Sequence, residues 1–154
     1  MKKPNYWVTA EVEPGDWDSS DHKSYPYGFT RPNKARVQRL KKGDYILRYW
    51  KGHHTFVGML KVVKSFDPKA SPKKGSRFPW KVKCVCLVTL GEADAVSIHD
   101  IKHQLTFYGR IKKSPTTLGN YLMPSPRDWP KPDGRKVAMA IQKAVSKPSR
   151  TSNS

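Results

Sequence analysis

Between Arg31 and Gly91, sixteen basic side chains face only two acids, Asp44 and Asp67. Five other acids (Glu11, Glu13, Asp16, Asp18 and Asp21) precede that stretch as a group. A surface built only for solubility intersperses the two signs, whereas a segregated excess of Lys and Arg draws polyanions over long range. The whole chain carries 30 Lys and Arg against 12 Asp and Glu, a formal net charge of +18. The expected partner is nucleic acid. Phosphate contacts are expected from Arg31, Lys34, Arg36, Lys41, Lys42 and Lys51, with Lys69, Lys73, Lys74 and Arg77 in a following loop. Such contacts position a strand without reading its sequence.

Side chains for covalent or metal chemistry are sparse. Cys84 and Cys86 stand two apart in a strand-like run, so they share a face and read as small, buried, reduced residues. No second Cys or Cys/His pair completes a zinc site. His53 and His54 fall at a hairpin tip and point to opposite sides if extended, which suits chelation poorly. There is no nucleophile elbow and no Gly-rich phosphate loop. Thr9 with Glu11 and Lys51 is the one set that a hydrolase could use. The chain therefore reads as a binder and not an enzyme, with no catalytic residue, metal or cofactor.

These residues need a frame. A chain of 154 residues fits one domain, expected over 1–145, with residues 146–154 as a disordered basic tail. No run approaches the roughly 20 apolar residues of a membrane span. The start (Met1-Lys2-Lys3-Pro4, then Tyr6-Trp7) has no signal-like segment, so a cytoplasmic, monomeric protein with no membrane contact is expected. Alternation predicts strands over 6–12 and 80–90; the Gly43-Asp44 turn leads into a strand over 45–50, core-forming bulk after a hairpin loop marks 55–64, and 120–123 is a candidate closing strand. Residues 16–32, polar but carrying Trp17, Tyr25, Tyr27 and Phe29, read as a long loop. Asn33 is positioned to cap a short helix reaching Leu40, and Ser97 with Asp100 starts another. Ser125-Pro126-Arg127-Asp128 reads as a helical turn stopped by Pro130. A final helix from Asp133-Gly134 aligns Val137, Ile141 and Val145 on one side. Five to six strands with short flanking helices suggest an α+β fold, a small mixed β-barrel.

Several segments resemble the EVE domain family, part of the PUA-like superfamily and related to YTH domains. They are Asn5-Tyr6-Trp7-Val8, the block from Asn33 to Asp44 (Asn-Lys-Ala-Arg-Val-Gln-Arg-Leu-Lys-Lys-Gly-Asp), and Tyr45 to Trp50. Phe56-Val57-Gly58, Phe78-Pro79-Trp80-Lys81-Val82, Leu118-Gly119-Asn120-Tyr121, Ser125 and Asp128-Trp129 follow in matching order, so the resemblance spans roughly residues 5–143. It departs at Ala10-Glu11-Val12-Glu13-Pro14, where many members have Lys-Ser-Glu-Pro, and at Tyr49-Trp50-Lys51, where they have Tyr-His-Ser.

What the resemblance implies is a PUA-like barrel whose pocket takes a modified, for example methylated, base flipped out of DNA or RNA. Carried over by position, the pocket would draw on Trp7, Tyr27, Asn33, Tyr49 and Trp50. Aromatic faces suit stacking on an extruded base, and an Asn suits reading its edge. Tyr49 and Trp50 are strand neighbours and face opposite sides, so both cannot line one hole. Trp17 and Trp129 read as packing residues. A nonspecific RNA- or DNA-binding accessory protein and a PUA-like hydrolase of modified nucleosides remain as alternatives.

Overall fold

Trp7 and Val8 are neighbours in the first strand, and they enter different cores. That split follows from the two-residue period of a strand, and it organises the molecule. In the computed structural model, which describes residues 3–67, 69, 74–111 and 125–146, one mixed sheet is covered on both faces. Its strands are β1 (Tyr6–Glu11), β2 (Ser24–Phe29), β3 (Tyr45–Trp50), β4 (Thr55–Lys64), β5 (Trp80–Thr89), β6 (Val96–Ser97) and β7 (Arg127–Trp129). The order is β2-β5-β4-β3-β1-β7, with β6 paired to β4. β1 and β3 run parallel, and the other pairs are antiparallel.

The helices are α1 (Lys34–Val37), α2 (Ile98–Ile101), α3 (Thr106–Ile111) and α4 (Lys131–Ser146). α4 lays Val137 and Ile141 onto Val8, Leu47, Tyr49, Phe56 and Trp129 to form one core. Val145, expected on the same stripe, is 55% exposed because α4 overruns that core. The second core packs Trp7, Ile46, Leu60, Val62, Val82, Cys84 and Cys86 beneath Val37 and Leu40. Both cysteines are free and buried.

The structure corrects three sequence expectations. The sheet has seven strands, not five or six, and no pairing joins its ends β2 and β7 among the described residues, so a closed barrel is not seen. β2 lies inside the segment read as a loop. It is an edge strand, which tolerates Pro26 without an N–H to give, and its Ser24, Tyr25 and Pro26 are exposed, so it lacks alternation. Arg127–Trp129 is a strand against β1, not a helical turn. The expected strand over 120–123 lies outside the described residues.

Two glycines are required by close approach. A Cβ on Gly58 would lie 2.5 Å from the Val88 carbonyl oxygen and 3.4 Å from Arg48 Nη1. A Cβ on Gly134 would lie 2.2 Å from the Tyr6 Cβ, so α4 rests directly on β1 there.

Candidate functional site

Along β1 and β3 the face that bears the second core changes character. Trp7 pairs with Ile46, then Thr9 with Arg48, then Glu11 with Trp50. Because the two strands are parallel, their C-terminal ends lie side by side and gather the polar residues at one place. Arg48, only 1% exposed, donates from Nε to Glu11 Oε2 (2.9 Å) and from Nη2 to Glu11 Oε1 (3.0 Å). Nη2 also donates to the Gly15 carbonyl at 2.7 Å. The Tyr27 phenol oxygen lies 2.8 Å from Glu11 Oε2, to which it donates, and 2.8 Å from the Thr9 hydroxyl. Burial, with the negative Glu11 beside it, holds the Tyr27 hydroxyl well above the usual phenol range, so it stays a donor.

Beside this network opens a cleft of about 320 Å³ lined by Glu13, Asp16, Trp17, Arg48, Trp50 and Glu92, with Val57 of β4 and Thr89 and Leu90 at the end of β5. That volume is at the small end for ligand sites. The Trp17 ring stacks on Tyr27 (centroids 6.1 Å, 27° apart), and the Arg48 guanidinium lies 6.0 Å from the Trp17 ring. Trp50 donates from Nε1 to the Val12 carbonyl at 3.1 Å, and His53 covers one ring face at 3.4 Å. Two indoles are thus fixed on a rigid floor. The Arg48 charge is matched by Glu11, so Glu13, Asp16 and Glu92 leave the lining acidic.

The residues expected to form a pocket separate. Trp50 lines the cleft, and Tyr27 backs Trp17. Trp7 is 1% exposed and donates from Nε1 to Asp44 Oδ2 at 3.0 Å. Asp44 also accepts from the Asn5 and Lys41 amides, so it ties β1 to the turn before β3 and locks Trp7 in the core. Tyr49 is buried against Phe56 in the other core, as its opposite facing from Trp50 requires. Asn33 does not enter the cleft, and its side chain makes no cap on α1; its Nδ2 donates instead to Thr30 Oγ1 at 2.8 Å. Trp7 and Tyr49 are therefore buried in the two cores, and none of Trp7, Tyr49 and Asn33 lines the cleft. Trp17, read from sequence as packing, does pack with Tyr27 against the second core, and it also lines the cleft. The sequence signal for it was an aromatic set between Asp16 and Asp18 just after a Pro14-Gly15 break.

The cations do not ring the cleft either. Arg31 and Lys34 are exposed beside Trp80 at the start of β5, where the Trp80 indole donates to the Arg31 carbonyl at 2.9 Å and Lys34 Nζ lies 4.9 Å from the ring. Lys41 and Lys42 are exposed in the turn before β3. Lys51 is exposed next to Trp50, with its amide donating to the Glu11 carbonyl at 2.9 Å. The Thr9, Glu11 and Lys51 set has no hydrolytic geometry: Glu11 is held by Arg48 and Tyr27, and Thr9 is buried under them. No group of three metal-ligating side chains is found among the described residues. No helix there is long and apolar enough to cross a membrane.

No protein-family model matches the chain, and no curated protein matches it by sequence. Its fold is similar to solved structures. The Pho92 YTH domain in complex with m6A superposes with a TM-score of 0.62 at 9% identity, covering 96% of this chain and 89% of that one. Rpa0253 from Rhodopseudomonas palustris gives 0.59 at 14% identity, covering 96% and 99%. Human THYN1 in complex with 5-methylcytosine-containing DNA gives 0.55 at 13% identity, covering 94% and 99%. At these identities the likeness establishes the fold: a mixed α+β sheet with short helices, of the kind that YTH domains and human THYN1 have.

Proposed function

We propose that this chain is an EVE-type, PUA-like module that binds DNA or RNA and reads one modified base, held in the cleft between Trp17 and Trp50. The observation that carries this reading is the pair of indoles lining one cleft, Trp50 at the end of β3 and Trp17 in the loop after β1, over a floor fixed by Arg48 and Glu11. Structures of similar fold hold m6A and 5-methylcytosine-containing DNA, which supports the same ligand class here. Extruding a base costs a few kcal/mol. Stacking on an aromatic face returns about 1–3 kcal/mol, and a methyl group adds apolar contact.

The acidic lining narrows the base. Carboxylates only accept hydrogen bonds, so Glu13, Asp16 and Glu92 suit an exocyclic amino group, as on cytosine or adenine. They disfavour phosphate inside the cleft, which leaves the backbone to Arg31, Lys34, Arg36, Lys41, Lys42 and Lys51 outside it. The module acts as a cytoplasmic monomer without cofactor or catalysis. The test is a binding panel of oligonucleotides, with cytosine and adenine plain and methylated, in DNA and RNA, at one moderate salt concentration. A modified member that binds at least fivefold tighter than its plain counterpart supports the reading. Equal binding of all members, with a steep salt dependence, supports general polyanion binding instead.

A further inference from the structure

The cleft reaches the C-terminal end of β5, and a cationic-aromatic surface lies at its start. Thr89 and Leu90 line the cleft, and Trp80 begins the strand. Nine residue steps at about 3.3 Å put roughly 30 Å between Thr89 and Trp80, while on its other side the cleft comes closer, because Trp17 stacks on Tyr27 and Tyr27 lies against Phe29, the β2 partner of Trp80. Around Trp80 the protein builds a second surface. Phe78 is 44% exposed, with the Arg77 guanidinium 5.6 Å from its ring. Gly28 lets Phe78 lie against β2, since a Cβ there would come within 2.6 Å of the Phe78 Cβ. Trp80 is half-buried, edge-on to Phe66, and fixed by its bond to the Arg31 carbonyl. Lys34 reaches over the same indole. Arg31, Lys34 and Arg77 are exposed and have no carboxylate partner among the described residues.

We infer that Arg31, Lys34, Arg77, Phe78 and Trp80 form a single-strand nucleic-acid contact separate from the cleft, which grips the strand beyond it. Cations interleaved with exposed rings are the chemistry that binds a single strand without sequence preference: ammonium and guanidinium groups take phosphates, and ring faces take bases. The inference rests on the nucleic-acid reading above but not on base recognition. A ligand that reaches from the cleft to Trp80 needs at most roughly nine nucleotides at the 3.4 Å spacing of a stacked strand.

The test uses the full chain and fluorescein-labelled, unmodified pyrimidine oligonucleotides of four and twelve nucleotides. Three proteins are compared: wild type, the triple variant Arg31→Ala/Lys34→Ala/Arg77→Ala, and a charge-matched control, Lys23→Ala/Arg135→Ala/Lys136→Ala. The expected result is that the first triple binds the twelve-mer at least tenfold more weakly, with a log–log salt slope shallower by about 2, from about 0.7 per lost single-strand phosphate contact. The control changes less than twofold. Phe78→Ala weakens the twelve-mer at least fivefold while the wild type gains little from the four-mer. Equal losses in the two triples, or an unchanged salt slope in the first, would overturn the inference. The ratio of methylated to plain binding is read in parallel. If that ratio is one in the wild type while the first triple still loses affinity, base reading fails and the second contact stands.

Discussion

Arg48 meets Glu11 through two hydrogen bonds of 2.9 and 3.0 Å, and both partners are largely removed from water. The pair joins β3 to the end of β1, and the third Arg48 bond, to Gly15, sets the loop that carries Glu13, Asp16 and Trp17. Removing one member of a buried pair strands the other charge and costs about 3–5 kcal/mol. Glu11→Gln, which keeps the shape, is expected to lower stability by about 3 kcal/mol, measured as a fall in the urea midpoint. A change under 0.5 kcal/mol would show that the pair does not fix this loop.

Gly134 lies in α4, where alanine ordinarily stabilises a helix by about 1 kcal/mol. Here the added methyl would overlap the Tyr6 side chain, at 2.2 Å from its Cβ and 2.4 Å from its Cγ. Overpacking costs about 1–3 kcal/mol, so the sign reverses. Gly134→Ala is expected to lower the melting temperature; a rise would mean that α4 can lift from β1 freely.

Asp133 starts α4 yet serves another helix. Its carboxylate accepts from the Thr106 amide and hydroxyl, each at 2.7 Å, and from the Phe107 amide at 3.3 Å, so it caps α3 from across the fold. Asp133→Ala is expected to cost about 1–2 kcal/mol, the range for a lost cap. Guanidinium unfolding reads it directly, and Thr106→Ala should be partly redundant with it.

Burial pushes the Cys84 thiol up from its ordinary value to about 12, and Cys86 moves in the same direction for the same main cause. In the unfolded chain both thiols ionise near 9, so the folded state retains protons that the unfolded state loses as pH rises. The stabilising effect is complete below about 9 and declines from there toward 12. Cys84→Val, which cannot ionise, is expected to flatten the fall in stability between pH 9 and 10, before tyrosines contribute. At pH 8 the native protein should resist iodoacetamide at both cysteines, with labelling appearing only on unfolding.

Strands with apolar or aromatic runs were legible in the sequence: β1, β3 and β4 stand on such runs, and in β5 Val82, Cys84, Cys86 and Val88 recur every second residue and are buried on one face as that period requires. β2 and β7 were not, because Pro26 sits inside one and a Ser-Pro-x-Asp cap signature masks the other. The candidate site was legible only in kind. Trp50 lines the cleft, but the burial of Trp7 depends on a bond to Asp44, thirty-seven positions away, which no local pattern reveals. Trp17 reads as packing and does pack, but its second role in the cleft lining shows only once β2 folds back along β5 and brings Tyr27 beneath it. The cations are abundant in sequence, and only the structure shows that Arg31 and Lys34 gather at Trp80 and do not line the cleft.

The most direct test of base reading is the ratio of affinities for a twelve-nucleotide strand carrying one methylated base and for its plain twin, measured by fluorescence anisotropy in the wild type and in Trp50→Ala. Stacking on one ring is worth about 1–3 kcal/mol. The account predicts a wild-type ratio of at least five that falls to about one in Trp50→Ala, with the salt dependence unchanged. A ratio that survives the loss of Trp50, or that equals one in the wild type for every modification tried, would contradict it.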